Sequence, residues 1–148
     1  MNKPYSEKLK NFGKWLWRNK GKIIAGGLIA GGLFFLGCRA NTFAPYSWIG
    51  QTYSNKLTLN PLLHPISHLL GEGEIYFVRD LSREVTRVVI GNRTVGIYPL
   101  GRLIELVYTY TTKSALRHLP LYVAIGQVIS FGLPSMFSYI RKKIKRQR

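Results

Sequence analysis

Residues 23–38 read IIAGGLIAGGLFFLGC, sixteen positions without a charge, closed by Lys22 on one side and Arg39 on the other. As an α-helix this run is about 24 Å long, slightly short of a hydrocarbon core of about 30 Å. Lys22 and Arg39 can extend their charged ends outward and recover the difference. Trp15 and Trp17 stand just before it, where an interfacial aromatic belt would sit. Five glycines would weaken such a helix in water by about 1 kcal/mol each. In a bilayer they flatten one face and let another helix approach. Gly27 with Gly31, and Gly26 with Ala30, have the small-xxx-small spacing of that contact. The run therefore predicts a first transmembrane helix over 23–38.

The preceding stretch, 1–22, is basic and amphipathic. Leu9, Phe12 and Leu16 recur every three or four positions, with Lys8, Lys10, Lys14 and Arg18 elsewhere around the wheel. It predicts a helix that lies on an anionic surface, or an uncleaved mitochondrial address. At twenty-two residues it is long for the n-region of a cleaved signal, so a signal-anchor is expected.

Residues 119–140, LPLYVAIGQVISFGLPSMFSYI, form a second uncharged run, twenty-two residues long and sufficient to span a bilayer. Pro120 suits a first turn, and Pro134 is expected to kink or end the helix. Gln127 is the lone strongly polar side chain near its middle, and is expected to face another helix. The polybasic tail, 141–148, follows with Arg141, Lys142, Lys143, Lys145, Arg146 and Arg148.

Charge sets the expected topology. Seven basic residues and one acid lie up to Lys22, six basic residues and no acid in the tail, and nine basic residues with five acids across 39–118. Both termini should then face the cytoplasm or the mitochondrial matrix, the spans forming a hairpin. A net charge of +16 is also found in nucleic-acid binders, but 46% of residues are hydrophobic and they fall in blocks. No aromatic residue interleaves with the tail cations, so nucleic-acid contact is not expected. Anionic head groups such as cardiolipin are the expected ligands of Lys20, Lys22, Arg39, Arg141, Lys142, Lys143, Lys145 and Arg146. One cysteine, Cys38, leaves the redox compartment open.

The connecting segment, 39–118, is too apolar for disorder. Residues 39–60 read as irregular chain, with Tyr46, Trp48 and Tyr53 at the interface. Ile75, Val78, Leu81, Val85, Val88 and Val89 suggest a helical stripe, and a helix is expected over 74–86. The β-branched runs 85–90 and 93–98, flanking Gly91-Asn92, also carry a β-hairpin signature, so 85–98 stays open between helix and a short hairpin. Pro99 opens a third stripe of Leu100, Leu103, Ile104, Val107, Thr111 and Ala115, read as an interfacial helix or one covered by a partner. Overall the expected fold is mostly α: two transmembrane helices in a hairpin with amphipathic interfacial helices between them.

Few residues invite chemistry. His64 and His68 are four apart, but metal sites need further ligands and no partner motif exists. Glu72 and Glu74 read as acids at a helix N-terminus. Asn92-Arg93-Thr94 matches a glycosylation sequon. No nucleophile, base and orienter can be assembled, so no catalytic, metal or cofactor site and no small-molecule substrate is expected. These features suggest a non-catalytic supernumerary subunit of a large mitochondrial inner-membrane complex, in the respiratory chain or the ATP synthase. Its packing residues would be Gly26, Gly27, Ala30, Gly31 and Gln127, and its partners other subunits and anionic lipids. The alternatives are a small oligomeric transporter using Gln127, and a membrane tether for a ribosome-like particle.

Overall fold

A computed structural model describes residues 3–147. Helix α1 runs unbroken over Lys3–Arg39, and helix α4 over Leu119–Gln147. Between them lie strands β1 (Thr42–Ile49) and β2 (Thr52–Thr58), the short helix α2 (Pro65–Leu69), strands β3 (Glu74–Asp80), β4 (Val85–Ile90) and β5 (Arg93–Pro99), and helix α3 (Leu103–Arg117). The chain divides into two compact units. One comprises the residues up to Gly32 and those from Pro120 on; the other is Leu33–Leu119.

In the first unit, α1 joins the expected amphipathic and apolar segments without a break at Lys22. The chain from Ser6 to Lys22 contains no proline, and Gly13 and Gly21 are isolated, so nothing interrupts the backbone ladder. α4 likewise runs through Pro134 and through most of the basic tail; Pro134 does not end it. Both helices have the length and hydropathy of a membrane span, with mean hydropathy 1.7 and 1.4 over their most apolar windows. Lys145 and Arg146 fall in the last turn of α4, where positive charge complements the helix dipole.

The second unit corrects the expectation of interfacial helices. Its five strands form one antiparallel meander in the order β1-β2-β3-β4-β5. Residues 39–60, expected to be irregular, supply β1 and β2; residues 74–86, expected to be helical, supply β3, a turn and the start of β4. The buried positions there are Ile75, Phe77, Thr86 and Val88, a period of two within each strand. Asp80 makes the turn: its carboxylate accepts from the Ser82 and Arg83 amides and the Ser82 hydroxyl, and Glu84 takes a left-handed φ of 54°. Of the two readings left open for 85–98, the structure has the β4–β5 hairpin, and Gly91 supplies a φ of 60° at its turn. Pro45 sits in the edge strand β1, beside a bulge, where its missing N–H costs no ladder bond.

α3 occupies the segment of the third stripe. The sheet of its own unit covers the face that carries Leu106 and Tyr110, while Ile104, Tyr108 and Leu116 remain exposed on the rest of the helix. Leu57, Leu59, Ile75, Phe77, Val88, Leu106 and Tyr110 make the core, with Ile90, Tyr98, Leu103 and Val107 packed around them. Phe77 is fully buried and meets Phe43 and Tyr110 edge to face, each at 6.2 Å. Burial and the Tyr98 hydroxyl, 3.2 Å away, push the Tyr110 phenol up to about 12. α3 ends at His118 because Pro120 has no N–H to continue the ladder and clashes with the preceding turn.

Candidate functional site

In the first unit the sequence-predicted packing residues separate into two groups. Gly26, Ala30 and Gln127 come together. A Cβ on Gly126 would run into the Gly26 carbonyl oxygen and stand 3.2 Å from the Ala30 nitrogen. A Cβ on Gly26 would lie 2.7 Å from the Gln127 amide carbon. Gly126 is therefore an essential half of this contact, missed in the sequence reading although Gly126 and Ser130 have the small-xxx-small spacing. The Gln127 amide donates to the Ile23 carbonyl at 3.2 Å, and the Ser130 hydroxyl to the Lys22 carbonyl at 2.8 Å. Gln127 Oε1 is buried with no partner among the described residues. Trp15 stacks on Phe131 at 6.0 Å, extending the contact. The α1 partners descend from Ala30 to Trp15 as the α4 partners ascend from Gly126 to Phe131, so the helices run antiparallel through it.

Gly27 and Gly31 are not in this contact: nothing stands within 4 Å of the Cβ either would carry. Large apolar side chains remain exposed on both helices, among them Leu28 at 73% and Val128 at 71%.

The predicted head-group cations spread along both helices. Lys20 is exposed, with its ammonium 3.7 Å over the Trp17 ring. A cleft of about 430 Å³ brings Lys22 and Lys142 together with Pro134, Ser135, Ser138 and Tyr139. Arg141, Lys142 and Lys145 line a second cleft of about 450 Å³ with Pro134, Phe137 and Ser138. Lys143 and Arg146 are exposed on α4. Arg148 lies outside the described residues. Arg39 belongs to the second unit, where its guanidinium stands 5.7 Å from the Phe35 and Tyr108 rings.

The second unit contains a polar constellation invisible in the sequence. His64 donates from Nε2 to the Gly37 carbonyl at 2.7 Å, since a carbonyl can only accept, and its Nδ1 lies 2.8 Å from Ser114 Oγ. Ser67 Oγ lies 2.9 Å from Ser114 Oγ. His118 Nε2 accepts from the Ile66 amide at 3.0 Å, so its Nδ1 carries the proton and donates to the Ser114 carbonyl at 2.8 Å. His64 and His118 meet edge to face at 5.3 Å. Desolvation lowers the His64 pKa from its usual 6.5, partly opposed by the Gly37 bond, with the other two histidines lowering it further. His64 is thus neutral at pH 7.

This network does not converge on a ligand position. His68 points elsewhere, with its Nε2 donating to the Leu59 carbonyl at 2.6 Å, so the two histidines of HPISH are not paired. Among the described residues no group of three His, Cys, Asp or Glu side chains is placed to hold a metal ion. The network's physical effect is to tie the end of α1, α2 and α3 together through bonds that leave few buried polar atoms unmet.

The acids also differ from their expected places. Glu72 pairs with Arg117, and Glu74 opens strand β3, not a helix. Glu74 accepts from Tyr76 at 2.9 Å and pairs with Lys56 at 3.5 Å. The Tyr76 hydroxyl, then Lys56, hold the Glu74 carboxyl below its usual pKa. Asn92, Arg93 and Thr94 are exposed at the β4–β5 turn. Comparison with known protein families, curated proteins and solved structures gives no match.

Proposed function

We propose that this chain is a non-catalytic structural subunit of a large membrane complex, with α1 and α4 crossing the bilayer as a hairpin. The observation that carries the reading is the unused glycine face. Gly26 and Gly126 serve the contact between the two helices, whereas Gly27 and Gly31 leave open space beside exposed Leu28. In water an apolar surface of this extent drives aggregation. In a bilayer the lipid covers the large side chains, and the flat strip accepts the close approach of another subunit's helix.

The charge pattern supports both termini on one side, and the clefts around Lys22, Arg141, Lys142 and Lys145 suit the phosphates of an anionic lipid such as cardiolipin. The basic, acid-poor start of α1 supports placement in the mitochondrial inner membrane, with a respiratory-chain complex or the ATP synthase as host.

The test is extraction of the tagged chain from its native membrane in mild detergent, followed by native electrophoresis and mass spectrometry of the band. A hetero-oligomer far heavier than the 16.9 kDa chain, lost in a Gly27→Leu/Gly31→Leu variant, is expected. A monomer or a homo-oligomer would refute the role.

A further inference from the structure

The Leu33–Leu119 unit holds a cavity of about 290 Å³ between the sheet and α3. Leu59, Ile75, Ile90, Val95 and the Tyr110 ring give it apolar walls. Its exposed margin carries Arg93, Lys113 and Arg117. Glu72 also lines it and pairs with Arg117. Among the described residues neither Arg93 nor Lys113 has an ion-pair partner. The margin thus has surplus positive charge next to apolar walls.

The buried side is formed by Ser67 and Ser114, and their protons are already committed. Neutral His64 gives its Nε2 proton to Gly37, so Nδ1 must accept the Ser114 proton. Ser114 Oγ can then meet Ser67 only as an acceptor, which consumes the Ser67 proton as well. Neither serine hydrogen is left to point into the cavity. An anion gains nothing from the serines, and the cationic donors without an ion-pair partner among the described residues, Arg93 and Lys113, stand at the margin. The volume lies near the lower end of the roughly 300–1,000 Å³ typical of ligand pockets, room for one chain and not two.

We propose that this cavity binds a single-chain anionic amphiphile, its acyl chain against Leu59, Ile75, Ile90 and Val95 and its head between Arg93 and Lys113. The same chemistry belongs to a free fatty acid and to a lysophospholipid. The inference stands on this unit alone and does not depend on the assembly role.

The experiment uses the full chain in nanodiscs of phosphatidylcholine, with a diazirine-bearing decanoate as photoprobe and peptide mapping of the label. Label is expected on the peptides carrying Ile90, Val95 and Tyr110, and excess decanoate should displace it. Decanol, which lacks the charge, should compete about tenfold less well, as expected for the loss of one charge-assisted contact. Arg93→Glu/Lys113→Glu should reduce labelling about tenfold, with Arg93→Lys/Lys113→Arg restoring it. Both positions are exposed, so neither change removes core packing. Better competition by lysophosphatidate than by decanoate assigns the ligand to the membrane; the reverse assigns it to the free fatty acid pool. Equal competition by decanol and decanoate, which needs no variant to fold, overturns the proposal. So does label confined to α1 and α4.

Discussion

Replacing Gly126 by alanine adds one carbon, and the structure gives that carbon no room. It would enter the Gly26 carbonyl oxygen and press on the Ala30 nitrogen, both backbone atoms that cannot rotate away. Ordinary contact needs about 3.5 Å, so the helices must part by roughly 1 Å. The Ser130–Lys22 bond at 2.8 Å and the Gln127–Ile23 bond at 3.2 Å would then stretch beyond hydrogen-bonding reach. Overpacking costs about 1–3 kcal/mol, and each interhelical bond lost in a membrane about 0.6 kcal/mol. Alanine returns up to about 1 kcal/mol through its better helix propensity. The net expectation is a destabilisation of about 1–3 kcal/mol. Gly27→Ala meets open space and keeps only the propensity gain, so it should be neutral or stabilising. Gly26→Ala meets the movable end of Gln127 and should fall between the two. The assay is SDS titration of the chain in mixed micelles, followed by Trp15 fluorescence in a Trp17→Phe/Trp48→Phe background. Trp15 reports locally because it stacks on Phe131. If Gly126→Ala unfolds no earlier than Gly27→Ala, the Gly26–Gly126 contact does not hold the helices together.

Ser114→Ala should destabilise the second unit by about 1–3 kcal/mol, since it strips buried partners from His64 and Ser67; thermal unfolding by circular dichroism reads this. Thr86→Val should be neutral or raise Tm, because the Thr86 hydroxyl is buried with no partner among the described residues. The lowered His64 pKa makes stability pH-dependent: the unfolded chain binds a proton near 6.5 and the folded chain only below that. The His64 contribution is therefore fully present above pH 6.5 and lost as pH falls from there through the lowered folded value. His64→Asn should flatten the acid limb of a Tm-against-pH profile; an unchanged limb would exclude His64 as its source.

The two long helices were legible in the sequence because their apolar runs are long, uncharged and bounded by charge. The β4–β5 hairpin was legible from Gly91-Asn92 between β-branched runs. Residues 74–86 misled because Ile75, Val78, Leu81 and Val85 fit a helical period while Phe77, the most buried of the set, does not. The Asp80–Glu84 turn was present as Asp and Ser between apolar runs, and weighing it would have divided the helix into strands. Gly26, Ala30 and Gln127 could be chosen by spacing and polarity. Gly126 was legible by the same rule, through its spacing to Ser130, and only its position opposite Gly26 needed the structure. The histidine network and the cavity depend on residues far apart in the chain, such as Ile66 and His118, 52 positions apart, and local pattern carries no information about that pairing.

The strand order has a consequence for how the chain is made. Each strand of the meander pairs with the one just before it, so no strand waits for a distant mate. Such a sheet can grow strand by strand as synthesis proceeds, with short closures except at β2–β3, where the connection carries α2. α3 comes last and brings Leu106 and Tyr110, without which the apolar face stays open. The Leu33–Leu119 unit therefore has all its core residues before most of α4 has been synthesised, and its folding can finish ahead of the final helix.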